Sequence, residues 1–170
     1  MLIIHAVQKL LNTSRIQTGQ YITKPADGQL MHSWYARLFS STFPGKLMVM
    51  YVHEPSLLTV VCRGKTINGT WPEFVVRLPA LLHRYHFNEA FIVTEMKEAN
   101  GYIVAKTNSR SMLAHMNQMI FQLEYDCSRF PSYGSISQDL LEDRMMDHLY
   151  QSKQKGKLFT SAKEYWQHKI

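Results

Sequence analysis

Residues 102–126 read YIVAKTNSRSMLAHMNQMIFQLEYD, and this stretch decides the fold class. Tyr102 to Thr107 is a β-prone run, Asn108-Ser109 supplies a turn or cap, and Arg110 to Asp126 has the period of a long helix. Leu113, Met116, Ile120 and Leu123 form the apolar stripe, joined by Met112 and Met119. His115, Gln118 and Gln122 fall largely off it. A strand delivered directly into an amphipathic helix predicts an α+β fold, with a small antiparallel or mixed sheet packed against several helices.

Working outward, Leu2 to Val7 opens as a strand and Gln8 to Leu11 turns into a short helix. Residues 12–29 are polar and rich in turn formers, as a surface excursion should be. Residues 30–39 predict a helix, because Met31, Trp34, Tyr35 and Leu38 recur at spacings of three and four. After a break at Pro44-Gly45, strands are expected over 46–53 and 57–63, joined as a hairpin by Glu54-Pro55-Ser56. Gly64 and Asn68-Gly69 close that region as turn residues. Between Trp71 and Phe87 the reading is divided. Phe74-Val75-Val76 is β-prone, whereas Pro79 can start a helix running through Tyr85, with a second short helix over 88–97. Beyond the long helix, Ser135 with Gln138 resembles a capping box for a helix burying Leu140, Leu141, Met145 and Leu149. The division expected is one α+β domain over 1–151, then a basic linker and short C-terminal helix over 152–170. Ser161 and Glu164 cap that last helix, which bears Tyr165 and Trp166.

With 45% hydrophobic and 19% charged residues, the chain of 170 has the balance of a soluble globular protein rather than a disordered one. A net charge of +6 can draw in nucleic acid, phosphates or acidic proteins, although the excess is dispersed. Its longest concentration is Lys153, Lys155 and Lys157. Cys62 and Cys127 are too few for a disulfide framework or a four-thiolate metal site. His83 and His86 lack a companion ligand set and no HExxH occurs, so neither metal nor cofactor is expected. The N-terminus has no signal-peptide pattern and no apolar run is long enough to span a bilayer. The expectation is a cytoplasmic protein without a membrane partner.

The leading candidate for chemistry is Lys106-Thr107-Asn108-Ser109-Arg110-Ser111. A helix start exposes backbone N–H groups that lack intrahelical partners, and with the helix field they can hold phosphate or carboxylate. Lys106 and Arg110 bring charge; Thr107, Ser109 and Ser111 bring hydroxyls. The plainer alternative is that Asn108 or Ser109 merely caps the helix and Arg110 pairs with a nearby carboxylate. The glycine spacing of a Walker loop is absent. His5 and Lys9 share a face if their stretch is one continuous element, placing a base or polar ligand beside a lysine. Trp34 is either an aromatic wall for a planar ligand or a core residue. Asn117, two turns beyond Arg110 on the same side, calls for a tertiary hydrogen bond or a polar cleft. Glu142, Asp143 and Asp147, beside Arg144 and His148, read as solvated surface.

Ile4-His5 with Lys9-Leu10, Trp34-Tyr35-Ala36 with Leu38, and Lys106 to Leu113 followed by Met116-Asn117 together resemble an uncharacterised family of small prokaryotic and mobile-element domains, sometimes joined to a plasmid ORF-3-like domain. The family pattern looks like an I-H opening, a W-x-A helix and K-T-N-x-R-S entering a helix with M-N. The resemblance covers roughly positions 2 to 123, with Ala114 where relatives carry glycine. It implies that His5, Lys9, Trp34, Thr107, Arg110 and Asn117 meet around one cleft or one structural network. The function expected is a binding or interaction domain for an anionic ligand, a nucleic acid or a protein, a second copy of the chain included. One alternative is a hydrolase or transferase of phosphate substrates, with His5 as acid/base and Arg110 stabilising negative charge. Another is a structural homo-oligomer anchored by Trp71 or Tyr165-Trp166.

Overall fold

The computed structural model describes residues 1–18 and 31–170. Most of the polar excursion, and Leu30, therefore lie outside the described residues. A five-stranded mixed sheet forms the middle layer: β1 (Leu2–Ala6), β2 (Ser33–Ser40), β3 (Leu47–His53), β4 (Thr59–Arg63) and β5 (Tyr102–Lys106), in the order β4-β3-β2-β1-β5. β1 runs parallel to both β2 and β5, while β2, β3 and β4 pair antiparallel. Helices α1 (Gln8–Ser14), α2 (Ile67–Arg84) and α3 (Glu89–Glu98) cover one face, and α4 (Arg110–Ser128) with α5 (Gln138–Met146) covers the other. A small hairpin, β6 (Tyr150–Gln151) and β7 (Phe159–Thr160), leads into α6 (Ala162–Tyr165). The architecture is α+β. No helix among the described residues is long and apolar enough to cross a membrane.

The helix expected over 30–39 is a strand instead. Trp34, Ala36 and Leu38 pack with α1 and α2, while Tyr35 and Phe39 pack with α4 on the opposite face. A strand buried on both faces is apolar at nearly every position, so it also satisfies the spacing of a helical stripe. β2 pairs on both sides, in the register Ile4↔Trp34 and His5↔Tyr35 with β1, and Tyr35↔Val52 with β3. That pairing decides the outcome.

Residues 67–84 form one helix through two prolines, Pro72 and Pro79, so Pro79 does not start it. Interior proline costs a helix about 3 kcal/mol. Here the buried face of Phe74, Leu78, Leu81 and Leu82 offsets that penalty. Asn68-Gly69 is not a closing turn but the first turn of α2. Thr66 caps the helix by accepting from the Gly69 N–H at 3.0 Å. A Cβ at position 69 would come 2.5 Å from the Thr66 Oγ1, so a larger residue there needs the Thr66 side chain to shift. The cap of α5 is Ser137, which accepts from the Leu140 N–H; Ser135 belongs to the preceding single turn and pairs with Ser132. Leu140 and Leu149 are exposed, leaving Leu141, Met145 and Met146 as the apolar side of α5.

Glu142 overturns the expectation of a solvated acidic face. It is fully buried, accepts from the Val61 N–H at 3.0 Å, and holds the Arg77 guanidinium at 2.7 and 3.1 Å. Gln138 donates to the Val61 carbonyl at 2.7 Å, and Glu73 accepts from the Arg63 N–H at 2.9 Å. Side chains from α5 and α2 thus occupy backbone groups on the outer edge of β4. Glu142→Ala would leave the Val61 amide without its buried acceptor and reduce Arg77 to its contact with the exposed Asp139. The expected loss is about 3–5 kcal/mol of unfolding free energy, measured by urea denaturation.

Candidate functional site

The start of α4 is held in place by His5 and Tyr35. His5 is 2% exposed in β1; its Nδ1 lies 3.2 Å from the Lys106 carbonyl and its Nε2 lies 3.2 Å from the Ser33 Oγ. Its ring stacks on Tyr35 at 4.7 Å between centroids. The Tyr35 hydroxyl in turn donates to Asn108 Oδ1 and accepts from the Asn108 N–H. Burial pushes the Tyr35 phenol above its ordinary value, so the hydroxyl keeps its proton. The turn from β5 to α4 is therefore pinned against the sheet.

At the helix start, Ser109 is the cap, its Oγ accepting from the Met112 N–H at 3.2 Å. Among the described residues, the Arg110 and Ser111 N–H groups find no protein acceptor, and Arg110 pairs with no carboxylate. Arg110 and Ser111 are exposed, while Lys106 and Thr107 are half-buried. Two of the donors that helix geometry leaves over remain open.

That end of α4 borders a cleft of about 530 Å³. Ser109, Ser111, Met112 and His115 form one wall. Tyr150, Lys153 and Lys157 reach it from the β6–β7 hairpin, Tyr165 to His168 from the tail, and Glu54 from the end of β3. Burial pushes the His115 imidazole below its ordinary value, and the charge of Lys153 pushes it further the same way. His115 therefore lies neutral at pH 7, near a lysine that approaches from the facing wall. Lys157 is 2.6 Å from Glu164. Tyr150 meets His115 edge-on at 5.6 Å and donates to the Ser56 carbonyl at 3.0 Å, which fixes the hairpin to the connection between β3 and β4.

The residues singled out by sequence do not all gather here. Ser111 borders the cleft, with Asn108 and Arg110 beside it in the chain. Lys9 and Asn117 meet elsewhere, in a crevice of about 500 Å³ beside Arg37, which donates to Asn117 Oδ1. Lys9 belongs to α1, because β1 stops at Ala6; His5 and Lys9 do not share an element. Trp34 points to the opposite face from His5, is fully buried, and donates to the Met31 carbonyl at 2.7 Å. It is core. His5 has both ring nitrogens within 3.2 Å of protein groups and lines neither of these two cavities. Of the aromatics named as possible anchors, Trp71 is half-buried against Phe74 and Tyr102, Trp166 is 2% exposed in the core, and Tyr165 is 39% exposed. The grouping of potential metal ligands is absent among the described residues.

Sequence reasoning missed His115, Tyr150, Glu54 and the tail as neighbours of the helix start. Two signals were present. His115 stands four residues after Ser111, hence on the same side of the helix, and Lys153 to Lys157 is the densest basic stretch.

Residues 3–164 match a family described as a domain of unknown function (DUF6933), and the chain belongs to that family. The match continues past position 123 through α5 and the hairpin, so the cleft lies within it except for the tail residues Tyr165 to His168. No curated protein matches the chain.

The His148 imidazole is also held below its ordinary value, by burial and then by His115. Both rings bind protons more readily in the unfolded chain. Stability is therefore full above the ordinary histidine value of about 6.5 and declines as pH falls from there through the depressed values. Urea midpoints taken between pH 7.5 and 5 should fall, and the slope should flatten in His115→Gln and His148→Gln.

Proposed function

We propose that this DUF6933 chain is a binding domain whose ligand is a small anion-bearing molecule, seated in the cleft between the first turn of α4 and the β6–β7 hairpin. One observation carries the reading: Ser111, whose amide is open like that of its chain neighbour Arg110, lines a cleft whose other wall brings Lys153 and Lys157. Helix field, unpaired donors and lysine charge then act on one volume. The cap Ser109 leaves those two donors free rather than consuming them. The cleft also contains Glu54 and Glu164, and its cations are interleaved with carboxylates. A nucleic-acid track favours uninterrupted positive charge along a groove. A compact ligand that bears a phosphate or carboxylate at one end suits the mixture better.

The test is a titration with inorganic phosphate and pyrophosphate, followed by amide NMR. The Arg110 and Ser111 resonances should move together with those of Lys153. The double change Lys153→Glu, Lys157→Glu should weaken pyrophosphate binding about tenfold or more, since a charge-assisted hydrogen bond contributes about 1.5–3 kcal/mol. Resonances at 110 and 111 that stay still at millimolar pyrophosphate would remove the basis for the site.

A further inference from the structure

Resting on that reading, we infer that the ligand joins its anionic group to a planar heterocycle, as a nucleoside monophosphate does. The walls of the cleft are chemically divided. Near the start of α4 they are polar, with Ser109, Ser111 and Lys153. Towards the tail they are aromatic. Tyr165 is 39% exposed, and His168 is exposed and lies nearly parallel to Trp166, at 6.4 Å and 20°. A ring inserted beside His168 would extend a stack whose inner layer is a buried indole. Aromatic platforms of this kind hold heterocycles irrespective of their exact pattern of substituents.

An independent observation lies in the same wall. Trp166 borders the cleft, is 2% exposed, and its indole N–H is buried without an acceptor. Buried donors are almost always matched, and an unmatched one calls for an explanation. A ring nitrogen or carbonyl on an inserted heterocycle would be an acceptor of the required kind once the entering ring opens the shell that closes this N–H from solvent; an inorganic anion held at the far end would not. Glu54, at the margin of the cleft, brings a carboxylate suited to sugar hydroxyls. The volume of about 530 Å³ falls among sites that take molecules of this size, and its lining mixes apolar rings with a few polar groups as such sites do.

The experiment compares ribose 5-phosphate, adenosine, AMP and UMP by calorimetric titration of the full chain, with Trp fluorescence recorded in parallel. AMP should bind about tenfold or more tightly than ribose 5-phosphate, and the nucleotides should change Trp emission where ribose 5-phosphate does not. Tyr165→Ala with His168→Ala should bring AMP down to the affinity of ribose 5-phosphate while leaving the latter unchanged. Equal binding of AMP and ribose 5-phosphate overturns the heterocycle and leaves the anion site standing. Failure of all phosphate-bearing compounds overturns both. Adenosine binding as tightly as AMP overturns the joint ligand, because the phosphate then contributes nothing.

Discussion

The pinning of Asn108 by Tyr35 and His5 is the constraint on which the remaining site geometry rests. β1 is paired on both sides, so His5 cannot shift without dragging two neighbouring strands. Its stack on Tyr35 fixes the phenol, and the phenol holds both the side chain and the amide of Asn108. Polar groups buried this deeply are costly to leave unmatched, which favours keeping the arrangement intact. The first turn of α4 inherits that rigidity. A helix start on a loosely tethered loop would present the same amides at varying positions. Here they stand at a fixed height above the sheet.

Much of this was legible along the chain, and the failures have physical causes. β3 and β4 are continuous β-prone apolar runs bounded by turn residues, β5 is a β-prone run, and α4 carries a clear helical period, so pattern and structure agree. β2 was misread because burial on two faces erases the alternation that marks a strand, leaving Met31, Trp34, Tyr35 and Leu38 to imitate a helical stripe. α2 was misread because Asn68-Gly69, Pro72 and Pro79 all look like punctuation, and only packing against the sheet overrides them. The segment Lys106 to Ser111 could be recognised as a helix start with open donors, since that follows from local geometry. Its facing wall could not. Lys153, Tyr150 and His168 are brought there by a hairpin and a docked tail, and no periodicity spans the intervening residues.

The charge of the chain takes on a different meaning once it is folded. As composition, +6 spread over 170 residues specifies little. Folding sends several cations into structural pairs: Arg77 and Arg84 lie against Asp139, Glu142 and Asp143 between α2 and α5. Lys153 and Arg110 are left without such pairing among the described residues. What selects a ligand is this remainder and its position, not the total.

The occupied edge of β4 has one more consequence. A sheet margin with idle amides and carbonyls is a template on which another chain can lay down a strand, and repetition of that step builds fibres. With Val61 taken at both its N–H and its carbonyl, and Arg63 taken at its N–H, that margin gives an incoming backbone little to register against. The sheet is terminated chemically, by carboxylates and an amide from its own helices, so growth by accretion is blocked on that side even when molecules are crowded together.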